Sequence, residues 1–252
     1  MIAKQRPAAL VTGASQGLGA AIAVRLARDG FDVAVTARAV ESLGVVIADL
    51  QAAGARAVPV ALDLRSQDSI ERAIAEAARQ LPALELLVNN AAVTLRRPAL
   101  EVTPDEWRTL MDVNLTGTFF MSQQMARHLI KEGRRGSIVN LTSTHGIVAL
   151  AERSTYGISK AGIIHMTRVL AYEWAERGVR VNAIAPGTVE TPTRSAYFDA
   201  HPGSRESMLA RVPTGRFVTT EEVAGAVSYL AGADAANVTG HTLMLDGGLT
   251  TY

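Results

Sequence analysis

A tyrosine and a lysine stand four residues apart in this 252-residue chain. The segment Tyr156-Gly-Ile-Ser-Lys160 puts the two side chains one turn apart on the same face of a helix. A free phenol has a pKa of about 10 and is a weak acid and base near neutral pH, but a neighbouring ammonium group favours the phenolate and lowers that pKa. The pair therefore predicts a tuned phenol that exchanges a proton with a substrate oxygen.

A serine precedes this pair at the end of a short apolar run. Ser143 closes the segment Val139-Asn-Leu-Thr-Ser143, which we predict to be a strand. Open α/β sheets bind ligands at the carboxyl ends of their strands, and a hydroxyl there can hydrogen-bond a carbonyl oxygen that becomes an alkoxide. Singly, such a serine is typical of a turn, and such a Tyr/Lys pair is typical of a helix surface. Together they indicate a site.

A glycine-rich turn lies near the start of the chain, in Thr12-Gly13-Ala-Ser15-Gln-Gly17-Leu-Gly19. Such turns between a strand and a helix let the backbone approach a pyrophosphate at the helix N-terminus. The spacing G-x3-G-x-G lacks the Gly-Lys-Ser/Thr of a nucleotide-triphosphate loop. It also matches the G-x-S-x-G pattern of hydrolases, with Ser15 as nucleophile, but no earlier strand precedes it to form an oxyanion hole.

Short apolar runs alternate with amphipathic segments along the chain. This pattern predicts one α/β domain over residues 1–252, a Rossmann-type doubly wound, seven-stranded parallel sheet with helices on both faces. The predicted strands are 8–12, 33–36, 57–61, 84–88, 137–141, 179–184 and 242–245; the predicted helices are 17–29, 40–53, 67–80, 104–131, 155–177 and 220–231. Residues 186–216 contain no clear strand, and a stretch of that length in a compact domain is typical of a substrate loop.

Composition excludes several classes of protein. Hydrophobic residues make up 48% of the chain and charged residues 19%, which provides a sizeable core, and the formal net charge of +1 argues against a nucleic-acid binder. Because the chain has no cysteine, it has neither disulfides nor thiolate metal sites. No apolar run approaches the ~20 residues of a membrane span, and no signal-peptide pattern is visible. We expect a cytoplasmic protein that does not bind membranes.

These motifs together resemble those of the classical short-chain dehydrogenase/reductase family, from about Ala8 to the end of the chain. The glycine-rich turn, Asn89-Asn90-Ala91-Ala92, Asp112-Val-Asn114, Ser143, Tyr156 with Lys160, Pro186-Gly187-Thr-Val189-Glu-Thr191 and Asp246-Gly-Gly occur in the family's order. Ala92 departs from the usual glycine. The resemblance implies cofactor contacts from Gly13, Ser15, Gln16, Gly17, Leu18, Gly19, Arg38, Asp63, Leu64, Asn90, Ala91, Tyr156, Lys160, Pro186, Gly187, Val189 and Thr191.

The resemblance also implies a reaction and a role for each catalytic residue. The chain is expected to interconvert a carbonyl and a secondary alcohol with a nicotinamide cofactor. Tyr156 would pass the proton, Lys160 would lower its pKa and hold the cofactor's ribose, and Ser143 would orient the carbonyl. Asn114 would hold a water that links Lys160 to solvent.

The end of the second predicted strand discriminates between the two nicotinamide cofactors. NAD enzymes usually place an acid there for the ribose hydroxyls, whereas the 2′-phosphate of NADP needs positive charge. Here the strand runs into Ala37-Arg38, and Arg38 can make a two-pronged contact with a phosphate. It could equally stack on adenine in either cofactor. We predict NADP(H) in preference to NAD(H).

The sequence specifies the substrate less closely than the reaction, because proteins of one fold catalyse many reactions. Two alternatives are 3-oxoacyl thioester reduction, with Arg134, Arg135 and Arg177 near a carrier-protein docking position, and sugar or polyol oxidation. His145, Glu152, Arg153 and His201 are candidate substrate contacts, with Arg194 and Arg205 in the same loop. Each of these residues is also compatible with a solvated loop.

Two other classes of protein are less compatible with the sequence, and the sequence also suggests an oligomeric state. A cofactor-binding regulator without activity would not need the whole catalytic set, and a metal-dependent dehydrogenase is disfavoured by the absence of clustered ligands. The family resemblance implies a homotetramer, with the apolar width of helices 104–131 and 155–177 at its interfaces.

Overall fold

A parallel sheet of seven strands forms the centre of the protein, and the computed structural model describes residues 6–251. The strand order is β3-β2-β1-β4-β5-β6-β7 and every neighbouring pair is parallel. The strands are β1 (Ala8–Val11), β2 (Asp32–Ala37), β3 (Ala57–Ala61), β4 (Leu84–Asn89), β5 (Gly136–Leu141), β6 (Val179–Pro186) and β7 (Thr242–Leu245). The predicted fold class is confirmed, with strand ends within two residues of the predicted ones.

Helices cover both faces of this sheet. They are α1 (Gly17–Arg28), α2 (Gly44–Ala52), α3 (Gln67–Gln80), α4 (Pro104–Met111), α5 (Gly117–Lys131), α6 (Ser154–Trp174), α7 (Pro192–Ala200), α8 (Ser204–Leu209) and α9 (Thr220–Ala231). One core packs α1, α2 and α9 against one face of the sheet, and the other packs α3, α5 and α6 against the opposite face. Alternate residues of β1 enter the two cores, which explains its uninterrupted apolar sequence.

Helix starts follow their capping residues. Thr103 and Glu106 form a capping box at the start of α4, with Pro104 in its first turn, and Thr219 and Glu222 form another at α9. Each box satisfies backbone N–H groups that a helix start leaves without partners. The chain enters both helices at the positions that the sequence predicts.

Two predicted segments differ from the structure. The segment 104–131 is not one regular helix: a π-helical turn, Asp112–Thr116, separates α4 from α5. The segment 186–216 contains α7 and α8, and its residues Phe198 and Val212 pack with Phe217, just after the segment, in a small core of their own. This core gives the loop a fixed position beside the sheet.

The order of the strands determines where a ligand can lie. The chain moves outward from β1 to β3 and then returns to β4 on the other side of β1. At such a reversal, the connections after the two central strands diverge and leave a crevice at the carboxyl edge. The turns after β1, β4 and β5 border that crevice, and they contain the glycine-rich turn, Asn90 and Ser143.

Candidate active site

Ser143 and Tyr156 meet at the carboxyl edge of the sheet. β5 ends at Leu141 and α6 begins at Ser154, so both side chains lie close to the ends of regular elements. The Ser143 side chain interacts with the Tyr156 hydroxyl and lowers its pKa, and Ser143 is 8% exposed. The Ser143 hydroxyl also accepts a hydrogen bond from the backbone N–H of His145, at 3.2 Å. The structure therefore places the two hydroxyls side by side.

Lys160 lies one turn further along α6 and is buried. It is 3% exposed, its Nζ donates to the carbonyl oxygen of Leu141 at 2.8 Å, and this atom lies 5.6 Å from the centre of the Tyr156 ring. Burial lowers the pKa of Lys160 to about 8. The ammonium group is thus fixed beside the phenol, as the spacing of four residues predicts.

The prediction that the phenol pKa is lowered is wrong for this structure. Burial raises the pKa of Tyr156, and the hydrogen bond with Ser143 and the charges of Arg153 and Arg194 only partly oppose that rise. The sequence argument considered the ammonium charge of Lys160 but could not include the desolvation of the hydroxyl. The phenol is therefore protonated at neutral pH, which suits the donor of a proton.

Asn114 lies in the π-helical turn between α4 and α5, at 1% exposure. Its side-chain oxygen accepts from the backbone N–H of Val93 at 2.8 Å, and its Nδ2 donates to the carbonyl of Val93 at 2.9 Å and to Ser159 at 3.2 Å. The backbone carbonyl oxygen of Asn114 accepts a hydrogen bond from the Thr118 hydroxyl at 2.7 Å. The side chain thus ties three segments together, and its amide is fully engaged.

Glycine is required at two positions of the glycine-rich turn. Gly13 has a φ of +64°, and a Cβ on it would lie 2.8 Å from the Cα of Ala91. A Cβ on Gly19 would lie 2.6 Å from Nδ2 of Asn90. These distances are shorter than any side chain tolerates, so the turn after β1 and the turn after β4 pack backbone against backbone.

Neutral hydrogen bonds hold those two turns together. Nδ2 of Asn90 donates to the carbonyls of Thr12 and Gly13, at 2.9 and 3.0 Å. The Thr12 hydroxyl accepts from the backbone N–H groups of Asn90 and Ala91, both at 3.0 Å. The N–H of Gly13 donates to the hydroxyl of Thr36, in β2, at 3.3 Å. Three strands therefore fix the shape of the turn.

The N-terminus of α1 completes a site for a phosphate group. Gln16 is the N-cap residue and is exposed; within residues 6–251, no side chain caps this helix and its first turn has no acid. Leu18 packs against the core, and Ser15 is half-buried. The backbone N–H groups of such an end attract an anion. The residues present thus fit the pyrophosphate of a dinucleotide.

Two arginines border the position expected for adenosine. Arg38 follows β2, is exposed, and makes no hydrogen bond or ion pair in the part of the chain that the structure describes. Asp63 forms a two-pronged ion pair with Arg65, with contacts of 3.1 and 2.8 Å, and both arginines lower the pKa of Asp63, Arg65 most strongly. Leu64, between them, is buried. Sequence analysis missed Arg65.

The segment after β6 lies beside the end of β7. Pro186 ends β6, and the N–H of Gly187 donates to the carbonyl of Leu245 at 2.8 Å. Val189 forms a parallel bridge with Val218, which holds the segment against the start of α9. The Thr191 side chain caps α7 by accepting from the N–H of Arg194 at 3.2 Å. These contacts hold the predicted nicotinamide segment at the carboxyl edge of the sheet.

His145 packs against Tyr156. Its ring meets that of Tyr156 edge to face, with centres 6.0 Å apart, and its buried Nδ1 has no hydrogen-bond partner among the described residues. Burial, followed by the charges of Arg153, Arg194 and Arg211, lowers the pKa of His145. It is therefore a neutral group beside Tyr156, and its role as a substrate contact stays a prediction.

The other three candidate substrate residues differ in position. Arg153 is half-buried one turn before Tyr156, and its Nη1 donates to the carbonyl of Leu95 at 3.3 Å. Glu152 has a φ of +63°, unusual for a residue with a side chain, and pairs with Arg96 at 2.6 Å. His201 is exposed and stacks on Tyr197, with ring centres 4.2 Å apart. Glu152 and His201 thus have partners within the protein.

Arg96 and Tyr197 are site residues that sequence analysis did not identify. Nη1 of Arg96 donates to the hydroxyl of Tyr197 at 2.6 Å, across 101 positions of sequence. Neither residue belongs to a motif, and the only signal in the sequence was the number of arginines near the predicted loop. Arg134, by contrast, donates to the carbonyl of Pro82 at 2.7 Å and so has a partner within the chain.

Two further observations concern the described residues as a set. Across residues 6–251, no group of three or more His, Cys, Asp or Glu side chains is arranged to hold a metal ion. No helix in the same range is long and apolar enough to cross a membrane.

Comparison with known proteins identifies similar chains. The family model described as enoyl-(acyl carrier protein) reductase matches residues 13–250. A 3β-hydroxysteroid dehydrogenase of Eggerthella lenta is 36% identical over 244 residues, covering 96% of this chain and 93% of the relative. A 3-oxoacyl-[acyl-carrier-protein] reductase of Thermotoga maritima is 35% identical, covering 95% of this chain and 96% of the relative.

A solved structure from Agrobacterium tumefaciens extends the similarity to three dimensions. It is described as a candidate 2-deoxy-D-gluconate 3-dehydrogenase with bound NADP. Its TM-score against this chain is 0.88 at 35% identity, with 98% of this chain and 97% of that chain covered. The three names differ in substrate, and all three are similar over nearly the whole chain.

Proposed function

Because the chain belongs to the classical short-chain dehydrogenase/reductase family and is an oxidoreductase that acts on a carbonyl or a secondary alcohol, we propose that Tyr156 is its proton donor and NADP(H) its cofactor. One observation carries the proposal: the Tyr156 ring lies 5.6 Å from Nζ of the buried Lys160, and its hydroxyl interacts with Ser143, at the sheet edge that holds the glycine-rich turn. The arrangement brings a proton donor and a second hydroxyl to one point.

Tyr156 donates its proton to the substrate oxygen during reduction, and Ser143 holds the same oxygen by a hydrogen bond. The raised pKa of Tyr156 keeps the phenol protonated at neutral pH, and so it favours donation. The developing negative charge on the oxygen is then met by two hydroxyl donors in a site with little water. In the oxidative direction the phenolate of Tyr156 accepts the proton of the alcohol, and Ser143 hydrogen-bonds the alcohol oxygen.

Lys160 and Asn114 support this proton transfer. The ammonium group of Lys160 stabilises the phenolate that remains after donation, and its pKa of about 8 allows it to exchange a proton near neutral pH. The amide of Asn114 holds Val93 and Ser159 in place. The backbone carbonyl oxygen of Asn114 accepts a hydrogen bond from the Thr118 hydroxyl and has a second lone pair. We assign the predicted role of holding a water to this atom.

NADPH, when bound, supplies the hydride that reduces the carbonyl carbon. The glycine-rich turn and the N-terminus of α1 would hold its pyrophosphate, and the segment after β6 would contact its nicotinamide. Asn90 and Ala91 keep the turn open, since they contact its backbone rather than fill it. Arg38, which has no protein partner in the described chain, binds the 2′-phosphate, with Arg65 as a second positive group.

Two substrate classes remain, and the contacts at the site favour one of them. A 3-oxoacyl thioester needs an apolar channel and a surface for its carrier protein, while a sugar or polyol needs polar groups near the reacting carbon. His145 and Arg153 lie beside Tyr156, and both are half-buried. Their polarity supports the sugar or polyol class.

The function is tested by the change in absorbance at 340 nm with matched panels of acetoacetyl thioesters, keto-sugars and polyols. The carbonyl compounds are assayed with NADPH and with NADH, and the alcohols with NADP⁺ and with NAD⁺. We expect turnover with at least one panel, higher kcat/KM with the phosphorylated cofactor, and full activity after EDTA treatment. Unchanged absorbance with every compound, while the cofactor binds, would support a regulator without activity.

We also propose a homotetramer. Apolar side chains of α5 and α6 line a surface depression, among them Phe119, Ile130, Val169 and Trp174, and a second copy would cover them. Light scattering at micromolar concentration should give four times the chain mass; the mass of one chain would contradict the proposal. The cytoplasmic location expected from the sequence stays a prediction.

A further inference from the structure

Several arginines surround the catalytic tyrosine without matching carboxylates. Arg153 and Arg194 are both half-buried, and neither forms an ion pair with any carboxylate of residues 6–251. Arg153 is the N-cap residue of α6, three positions before Tyr156, and Arg194 lies in α7. The charges of both lower the pKa of the Tyr156 hydroxyl. The reacting hydroxyl thus faces two cations that no protein acid neutralises.

A continuous set of contacts holds these arginines in place. The guanidinium carbon of Arg194 lies 5.5 Å from the ring centre of Tyr197, and the hydroxyl of Tyr197 accepts from Arg96 at 2.6 Å. Arg96 in turn pairs with Glu152, the residue before Arg153. This arginine cluster, which we define as Arg96, Arg153 and Arg194, therefore brings together the connection after β4, the start of α6 and helix α7.

Glu152 is the acid within this cluster, and it neutralises one charge of three. Its φ of +63° strains the backbone, and its carboxylate contacts Arg96 rather than Arg153. Like charges in a half-buried site repel one another, and the charges of Arg194 and Arg96 lower the pKa of Arg153, although burial contributes more. An additional anion would remove that repulsion.

We propose that the substrate of this enzyme bears an oxyanion group, a carboxylate or a phosphate, and that Arg153 and Arg194 bind it beside the reacting carbon. This inference rests on the proposed function, because it places the anion relative to Tyr156. A guanidinium group matches either oxyanion with two parallel hydrogen bonds. The face of Arg194 stacks near Tyr197 and Phe198, at 5.5 and 5.9 Å, which fixes the plane of the fork.

The position of the cluster indicates that the anion belongs to the reacting molecule itself. A carrier protein would place its acidic surface outside the crevice, whereas Arg153 lies one turn before Tyr156 and is half-buried. His145, neutral because of its lowered pKa, does not compete with the cations for the anion. A small hydroxy acid, keto acid or sugar phosphate meets all of these conditions.

The test compares matched anionic and neutral compounds with the intact enzyme. The pairs are D-gluconate with D-glucitol, D-glucitol 6-phosphate with D-glucitol, and acetoacetate with ethyl acetoacetate. For each pair, the ratio of kcat/KM values, anionic over neutral, measures recognition of the charge. We expect a ratio above 1 for at least one pair, and the identity of that pair distinguishes carboxylate from phosphate.

Three variants locate this selectivity. Arg153→Gln and Arg194→Gln should each lower the ratio by about 10- to 100-fold, mainly through KM of the anionic compound. Arg72→Gln, an exposed arginine of α3, is the matched control and should leave the ratio unchanged. Because Arg153 and Arg194 lie on separate elements, the proposal can still be tested with one variant if the other misfolds.

Each other outcome has a definite meaning. Ratios at or below 1 for every pair, in an enzyme that turns over the neutral compounds, overturn the inference and leave the proposed function standing. Loss of activity confined to a carrier-protein-bound acetoacetyl thioester in the two variants would assign the arginines to docking and also overturn it. No turnover with any compound, despite NADPH binding, overturns the proposed function and the inference together.

Discussion

The two sides of the proposed active site are built by different kinds of contact. On the cofactor side, comprising residues 12–19, Thr36 and residues 89–91, backbone packs against backbone and the hydrogen bonds are neutral. On the substrate side, residues 144–153 and 190–216, the contacts are ion pairs and arginines over aromatic rings. One side is shaped by what the backbone allows, and the other by where side-chain charges lie.

The difference corresponds to what each side must bind. A pyrophosphate is the same in every nicotinamide dinucleotide, so a site made of backbone N–H groups can remain constant. Substrates differ, and exposed side chains can change without disturbing the sheet. The relatives agree with this division, because their names differ in substrate while the similarity extends over more than nine-tenths of the chain.

Tyr156→Phe should have the largest effect, because the residue lies where the two sides meet. The variant keeps the ring but loses the hydroxyl, and general acid catalysis contributes roughly 100- to 10,000-fold in rate. We expect kcat to fall by that factor, while the Kd for NADPH, measured by fluorescence, changes less than about threefold. Comparable turnover in the variant and the wild type would show that another group donates the proton.

Exchange of the cofactor contacts after β2 should have the next largest effect. Ala37→Asp with Arg38→Leu removes a charge-assisted contact worth about 1.5–3 kcal/mol and adds a repulsive carboxylate. We expect the kcat/KM ratio of NADPH over NADH to fall by about 100-fold. Arg56→Leu, at an exposed position before β3, is the control. A wild-type preference for NADH, or none, would refute the role of Arg38.

Gly13→Ala tests whether backbone shape determines cofactor binding. The new Cβ would lie 2.8 Å from the Cα of Ala91, at a φ of +64°, so the turn must shift; we expect NADPH affinity to drop by about tenfold, for a strain of 1–3 kcal/mol. Gly133→Ala is the matched control, with a φ of +62° and open space around its Cβ. It should lower Tm without affecting the Kd for NADPH. Equal affinities in both variants would contradict the argument.

Titration of Lys160 should produce the smallest effect, which is a change in the free energy of unfolding with pH. Its pKa falls from 10.5 in the unfolded chain to about 8 in the folded one, so between these values the unfolded state binds more protons and stability rises with pH. Below pH 8 the buried ammonium group of Lys160 lowers the free energy of unfolding by its full desolvation cost, on the order of 3 kcal/mol. We expect the Tm of the cofactor-free wild type, relative to Lys160→Met, to rise between pH 8 and 10. A constant difference would show that Lys160 is not desolvated.

Prediction from sequence was successful where the information is local. β1 is four consecutive apolar residues buried on both faces, and the boxes at α4 and α9 are formed by residues three positions apart. The pair Tyr156 and Lys160 could be placed because a separation of four residues in a helix fixes the relation between the two side chains. These features depend on short stretches of chain whose geometry is nearly fixed.

Features that depend on distant residues could not be predicted in this way. The ion pair between Arg96 and Glu152 joins residues 56 positions apart, and no property of either residue indicates the other. In the π-helical turn, the amide of Asn114 bonds to Val93 and Ser159, which lie 21 and 45 positions away. The raised pKa of Tyr156 arises from burial by elements across the fold, whereas the sequence argument considered one neighbour.

The position of β1 at the centre of the sheet has a consequence during synthesis. Its hydrogen-bonding partners include β4, and Asn90 holds the glycine-rich turn from 78 positions further along the chain. A ribosome adding roughly 5–20 residues per second needs about 4–16 s to make that stretch. Until β4 has been made, the apolar segment Ala8–Val11 lacks this neighbour in the sheet. Nascent chains are therefore most prone to aggregate then, and none can bind a dinucleotide before the second half of the sheet begins to form.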